Sequence, residues 1–175
     1  MILSSNEIRK QIGTGNIVIE PFYESRLNPN SYNLSLSNQI MYYDSMVLDM
    51  KKDEPYTKEL IPETGYLLLP NRVYLARTNE RTKTYNYVPM IEGRSSVGRL
   101  GIFIHVTAGF GDIGFEGFWT LELSVIQPVK IYPNVEICQI YYHTVDGEID
   151  KTYSNGKYQN NNGIQPSYLW KELTK

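Results

Sequence analysis

From residue 66 onward the chain alternates apolar and polar positions in short runs. Residues 66–69, 73–78, 88–91, 102–106, 118–125, 129–132 and 137–143 are rich in β-branched or aromatic side chains and are bounded by Gly, Pro or Asn, which predicts strands. No helix-period segment separates them, so the pattern predicts an all-β fold, a distorted jelly roll or β-sandwich, rather than a βαβ architecture. Upstream, Ser4 and Glu7 form a capping box, Ile8 and Ile12 share one face, and Gly13 and Gly15 follow, predicting one short helix over 3–12. A strand is expected at 17–19, ended by Pro21, and another after the turn residues of 27–31. Residues 38–65 are weakly patterned and polar, and the charged run 51–54 predicts a solvated loop. The tail after Asp146 is polar and glycine-punctuated, the composition of a disordered end or of a flap that orders on a ligand. The expected organisation is one domain over 1–175, with 147–175 as its tail.

Composition narrows the function classes. A net charge of −2 and the absence of a long basic block argue against a nucleic-acid binder, which needs a positive face. No apolar run reaches membrane-spanning length and no leader pattern opens the chain, so no membrane partner and a cytoplasmic location are expected. Cys138 is the one cysteine, and His105 and His143 are the two histidines. That set assembles neither a structural zinc site nor a His/Cys/Cys catalytic one. Hydrolytic chemistry here therefore needs a carboxylate to activate water, or a metal that arrives with the substrate.

The stretch from Gly93 to Arg99 places Arg94, Ser95, Ser96 and Arg99 beside Val97 and Gly98. Guanidinium, hydroxyl and backbone donors in such a loop suit a ligand rich in anionic oxygens, a phosphate chain above all. A second glycine-rich turn carries Asp112. In 118–125, Trp119, Leu121, Leu123 and Val125 point one way and Phe118, Thr120, Glu122 and Ser124 the other. Glu122 has two readings: a solvent-facing acid on a half-exposed sheet, or a positioned general base. His105 alternates with Phe103 and is expected to pack or hydrogen-bond structurally.

These motifs, in order, resemble the dCTP deaminases of the dUTPase-related superfamily: Gly93-Arg94-Ser95-Ser96, Arg99-Leu100-Gly101, His105-Val106-Thr107-Ala108, Asp112 and Thr120-Leu121-Glu122. Met1 to Ser4, Ile19 to Phe22, Pro29, Ser31-Tyr32, Leu34 and Lys157-Tyr158-Gln159 extend the likeness over nearly the whole chain. The resemblance implies a homotrimer with nucleotide sites between subunits and zinc-free deamination of dCTP. It gives Glu122 the role of catalytic acid and base, and Ser95 and Arg99 that of positioning the water and the acid. Arg94, Ser96, Val97 and Gly98 fall in its triphosphate loop. Asp112 meets the deoxyribose, Thr120 and Leu121 flank the base, and Gln139, Tyr153, Lys157 and Asn161 make further nucleotide contacts. Mg2+ would come bridging the triphosphate, and dTTP is an implied inhibitor.

Gly109 and Phe110 stand where enzymes that stop at dUTP usually carry a His-Arg pair, so the resemblance favours the bifunctional, dUMP-forming members. A small residue followed by an aromatic leaves room for a water aimed at the α-phosphorus, with Asp112 as its base; alternatively Gly109 only supplies a turn with positive φ. Asn161 replaces the family's usual glutamine, and Gly111 and Ile113 flank Asp112 where isoleucine and proline are common. Three further readings stand beside dUMP formation: a deaminase releasing dUTP, a dUTPase alone, and a non-catalytic β-sandwich whose 15 tyrosines serve as stacking platforms.

Overall fold

Ser4 caps the first helix as its spacing from Glu7 predicts, its hydroxyl accepting from the Glu7 N–H at 3.4 Å. The computed structural model of the chain describes residues 1–105 and 107–174. Val106, the end of the strand expected at 102–106 and part of the His105–Ala108 motif, lies outside the described residues. Helix α1 spans Ser5–Gly13, and the strands are β1 (Ile17–Glu20), β2 (Tyr32–Tyr43), β3 (Tyr56–Leu60), β4 (Tyr66–Leu68), β5 (Tyr74–Thr84), β6 (Tyr87–Gly93), β7 (Ile102–Phe103), β8 (Glu116–Val125), β9 (Val129–Ile131) and β10 (Glu136–Thr144). One-turn helices α2 (Ser95–Gly98) and α3 (Trp170–Leu173) complete the elements used below.

Among the described residues the named strands pair antiparallel, in the order β6-β10-β2-β5-β8-β7, with β1 on β5, β3 on β2, and β4 with β9 as a separate pair. Two long strands change partners along their length, which curls the sheet. β2 gives its first half to β10, with Tyr32 opposite Ile140, and its second half to β5, with Ile40 opposite Ala76. β5 keeps β8 on one edge across a register shift and on its other edge passes from β2, through Leu75–Thr78, to β1, through Arg81–Thr84. The inward faces meet in one cluster that includes Leu34, Leu36, Ile91, Leu121, Leu123 and Ile140, all at most 1% exposed, with Leu68 of β4 and Ile131 of β9 added from the small sheet. Each such side chain contributes roughly 1.5–3 kcal/mol by leaving water.

Two expectations need correction. The polar run 38–65 is not all loop: β2 continues through Tyr43 and pairs β3, with Gln39 opposite Leu60 and Tyr43 opposite Tyr56. The β3 side of this ribbon is almost wholly exposed, so no apolar alternation was required to form it. β5 also runs six residues past the expected 78, because its inward positions there are the polar Glu80, Thr82 and Thr84. They are buried but satisfied: Trp119 Nε1 donates to Thr82 Oγ1 at 2.9 Å and Thr84 Oγ1 donates to the Tyr87 carbonyl at 2.8 Å.

The tail lies along β8 rather than hanging free. The Tyr153 N–H donates to the Ile113 carbonyl, the Phe118 N–H to the Asn161 carbonyl and the Gln165 N–H to Thr120 Oγ1. Ile164 anchors it, buried in a second small cluster with Met41 and Leu75. Ile164→Ala is expected to weaken tail docking by about 2–4 kcal/mol. Hydrogen exchange would then quicken across 158–169 while the amides of β8 facing β5 keep their protection. Unchanged exchange in the tail would show that the Ile164 contact does not hold it.

Candidate active site

Burial of Leu121 and Leu123 on the inner face of β8 turns Thr120 and Glu122 outward, into a cleft of about 620 Å³. Tyr43 and Leu75 form one wall, Thr107, Phe110 and Asp112 the opposite one, and Tyr153, Asn161 and Gln165 bring the tail across. The Glu122 side chain is 36% exposed. Its Oε2 accepts from Thr107 Oγ1 at 3.2 Å and lies 3.5 Å from His105 Nδ1. That histidine is 6% exposed in its side chain and stands edge-on to Trp119, with ring centroids 6.4 Å apart. Nδ1 makes no formed hydrogen bond, so at 3.5 Å it faces the carboxylate as a polar contact at the limit of bonding range. His105 packs as expected, and it also abuts the acid.

These neighbours shift the titration of the acid. The His105 imidazole is the main influence holding the Glu122 carboxyl below its ordinary range; burial opposes it, and the Thr107 hydroxyl adds to it. Glu122 is therefore ionised at neutral pH, which is the form a general base needs.

The expected site residues fall into two groups. Asp112, Thr120, Glu122, Phe110, Tyr153 and Asn161 line the cleft, while Leu121 is buried behind it. Arg94, Ser95, Ser96, Val97, Gly98 and Arg99 form the turn of α2 and its flanks, outside the cleft lining. Ser95, Ser96 and Arg99 are exposed, and Arg94 Nη1 donates to the Glu136 carbonyl at 2.8 Å. Gln139 lies near α2, donating through Nε2 to the Gly93 carbonyl at 3.4 Å. Lys157 pairs with Glu172 of α3. The Asn161 side chain is used within the chain, donating to the Phe118 carbonyl at 3.0 Å and accepting from the Gly163 N–H at 2.7 Å. One chain thus gathers Asp112, Thr120 and Glu122 in the cleft, while the Arg94–Arg99 turn lies outside its lining.

The left-handed turn anticipated at Gly109 is not formed. Its φ is not positive, and a Cβ there would come within 2.5 Å of the Ile91 carbonyl oxygen. The Ile91 N–H donates to the Gly109 carbonyl at 2.8 Å and the Gly111 N–H to the Pro89 carbonyl at 2.8 Å, so the turn is laid on β6. Among the described residues no cluster of three or more His, Cys, Asp or Glu is gathered to hold a metal. Cys138 is buried, with its thiol pushed up by that burial. No helix of the described residues is long and apolar enough to cross a membrane.

The profile of a family described as dCTP deaminase-like matches residues 2–145. The chain belongs to that family. Among dCTP deaminase-like relatives, the "dCTP deaminase, dUMP-forming" of Clostridium beijerinckii is 63% identical over 175 residues, and that of Clostridium botulinum strain Eklund 17B is 64% identical, each covering the whole of both chains. The crystal structure of 2'-deoxycytidine 5'-triphosphate deaminase from Agrobacterium tumefaciens superposes with a TM-score of 0.64 at 20% identity, covering 82% of this chain and 48% of that one, a likeness of fold.

Tyr43, Thr107 and Gln165 of the cleft were not singled out from sequence. Thr107 carried a signal, two positions from His105 in the motif; Tyr43 and Gln165 sit in segments without apolar pattern.

The depressed Glu122 value has a defined linkage sign. Ionised Glu122 contributes stability above the ordinary glutamate range, and that contribution is lost as pH falls through the lower folded value. Thr107→Val removes one donor, so the Glu122 titration midpoint, followed by carbon-13 NMR of the carboxyl, is expected to rise toward the ordinary value. A midpoint that stays put or falls would refute the Thr107 contact.

Proposed function

We propose that the chain is a dUMP-forming dCTP deaminase: it hydrolyses the exocyclic amine of dCTP and then releases pyrophosphate. The observation that carries this is Glu122 held ionised in the cleft wall beside Thr120, in a chain 63–64% identical over its full length to relatives that bear that name. Glu122 takes a proton from water as the oxygen adds to C4 of the cytosine. It returns that proton to the amine, which leaves as ammonia. Proton transfer of this kind typically contributes ~10²- to 10⁴-fold in rate. Asp112, exposed at the cleft wall, is then placed to act on a second water directed at the α-phosphorus, giving dUMP and pyrophosphate. Mg2+ enters as part of the substrate, bridging the triphosphate oxygens. Thr120 flanks the base, and Tyr153 with Lys157 closes the tail on the nucleotide.

The phosphate loop in this reading comes from a neighbouring subunit. Ser95 and Arg99 lie off the cleft of their own chain, and beside them the Ile102–Val125 pairing gathers Leu100, Phe103 and Ile126, apolar side chains 53%, 43% and 67% exposed. Exposed apolar surface next to a donor loop suits contact with another copy, and a cyclic trimer would complete each site with the next subunit's α2. dTTP, which shares the deoxyribose and triphosphate, competes there. A protein handling free deoxynucleotides in this way is assigned to the cytoplasm.

The test is product analysis with dCTP and Mg2+. Ammonia, dUMP and pyrophosphate are expected in equal amounts. Accumulating dUTP would leave deamination alone, and turnover of dUTP but not dCTP would make the protein a dUTPase. Glu122→Gln is expected to cut ammonia release at least about 100-fold while nucleotide still binds; near-normal release would reject Glu122 as the base.

A further inference from the structure

Behind the phosphate loop, four alternating charges cross the sheet. Glu80 of β5 is fully buried, and its Oε1 accepts from Arg26 Nη1 at 2.5 Å and from Ser35 Oγ at 2.6 Å, while Oε2 accepts from the Ser35 N–H at 2.8 Å. Arg26 Nε lies 3.8 Å from Glu136 Oε1. Glu136 Oε2 accepts from Asn33 Nδ2 at 2.7 Å and lies 3.5 Å from Arg94 Nη1, the nitrogen that also donates to the Glu136 carbonyl. The turn at 28–31 and the start of β2 brace Glu136 and Gln139. Asn28 Nδ2 donates to Asn33 Oδ1 at 2.7 Å, and Ser31 Oγ donates to Gln139 Oε1 at 3.0 Å.

We propose that Glu136, seated between Arg26 and Asn33, is a positioning residue that presets the Arg94 guanidinium for the β- and γ-phosphates of the nucleotide. The inference rests on the function proposed above. Its physical content is preorganisation. An arginine left free loses rotamer freedom when it meets phosphate, whereas one already held at its Nη1 loses less. Glu136 is in turn kept from swinging by Asn33 and by Arg26, which the buried Glu80 fixes. The Asn28 to Asn33 turn, part of a segment shared with the family but without an assigned role, thereby acquires one. It holds Glu136 behind Arg94 and Gln139 through Ser31.

A double-mutant cycle tests this with two probes in the presence of Mg2+: α,β-imido-dUTP, and dUMP, which lacks the β- and γ-phosphates. Glu136→Ala is expected to weaken α,β-imido-dUTP binding about tenfold by calorimetry and to leave dUMP binding unchanged. In an Arg94→Ala background the same change is expected to have no further effect. Glu136→Gln, which keeps the shape and one acceptor oxygen, guards against a folding defect, and melting curves accompany each variant; a smaller loss with the same probe dependence is expected. Equal losses for both probes would mean a merely structural role and overturn the proposal. Tighter triphosphate binding would show that only the charge of Glu136 matters and would overturn it equally, as would an undiminished effect without Arg94. Failure of the parent reading is separate: it is seen as absent ammonia release from dCTP by the unaltered protein, whatever the cycle gives.

Discussion

The two-residue period of β8 is the constraint on which the site depends. Trp119, Leu121, Leu123 and Val125 are buried between β5, β7 and the core, so the register of this strand cannot slip by one without exposing all four. The same lock turns Phe118, Thr120, Glu122 and Ser124 toward the cleft. A carboxylate on a partly covered face is unfavourable unless polar groups meet it. Thr107 and His105 supply them, from the chain that leaves β7 and returns past Trp119. Packing thus sets the direction of the acid, and two neighbours hold its carboxyl below the ordinary range.

The turn from Arg94 to Arg99 obeys a different logic. α2 is one turn long, its cap residue Arg94 makes no side-chain cap, and its serines and Arg99 are exposed. Successive backbone hydrogen bonds from Val97 to Gly101 close the turn, and the pairing of Gly93 with Cys138 on one side and of Ile102 with Val125 on the other fastens its ends. The charges behind it belong to β5, β10 and the turn before β2. The acid half of the site is built from a single chain, with the tail laid over it.

The core strands were legible because their inward residues are apolar and their limits are Gly, Pro or Asn. β8 is the clearest case: its alternation alone separated Leu121 from Glu122. Legibility ended where burial is polar. In β5 the inward Glu80, Thr82 and Thr84 are paid for by partners from Arg26, Trp119 and Tyr87, all distant or out of step in sequence. The β2–β3 ribbon escaped notice for the opposite reason, since an edge strand with almost nothing buried leaves composition unconstrained. In the site, residue types announced the acid and the donors, but not which of them meet. His105 illustrates this: its alternation with Phe103 indicated packing, and only the return of the chain past Trp119 brings Nδ1 to Glu122.

Gly109 shows how a sequence signal can be sound while its first explanation is not. The small residue suggested either free volume for a water or a left-handed turn. The backbone there is not left-handed, and the missing Cβ points at the Ile91 carbonyl. Gly111 is under the same restriction, where a Cβ would fall 2.5 Å from the Trp119 ring. Two glycines therefore let the turn lie flat on β6 and against Trp119, and that path carries the side chains of Phe110 and Asp112 to the cleft wall. A His-Arg pair at 109 and 110 does not fit this path, since any side chain at 109 displaces the backbone from Ile91.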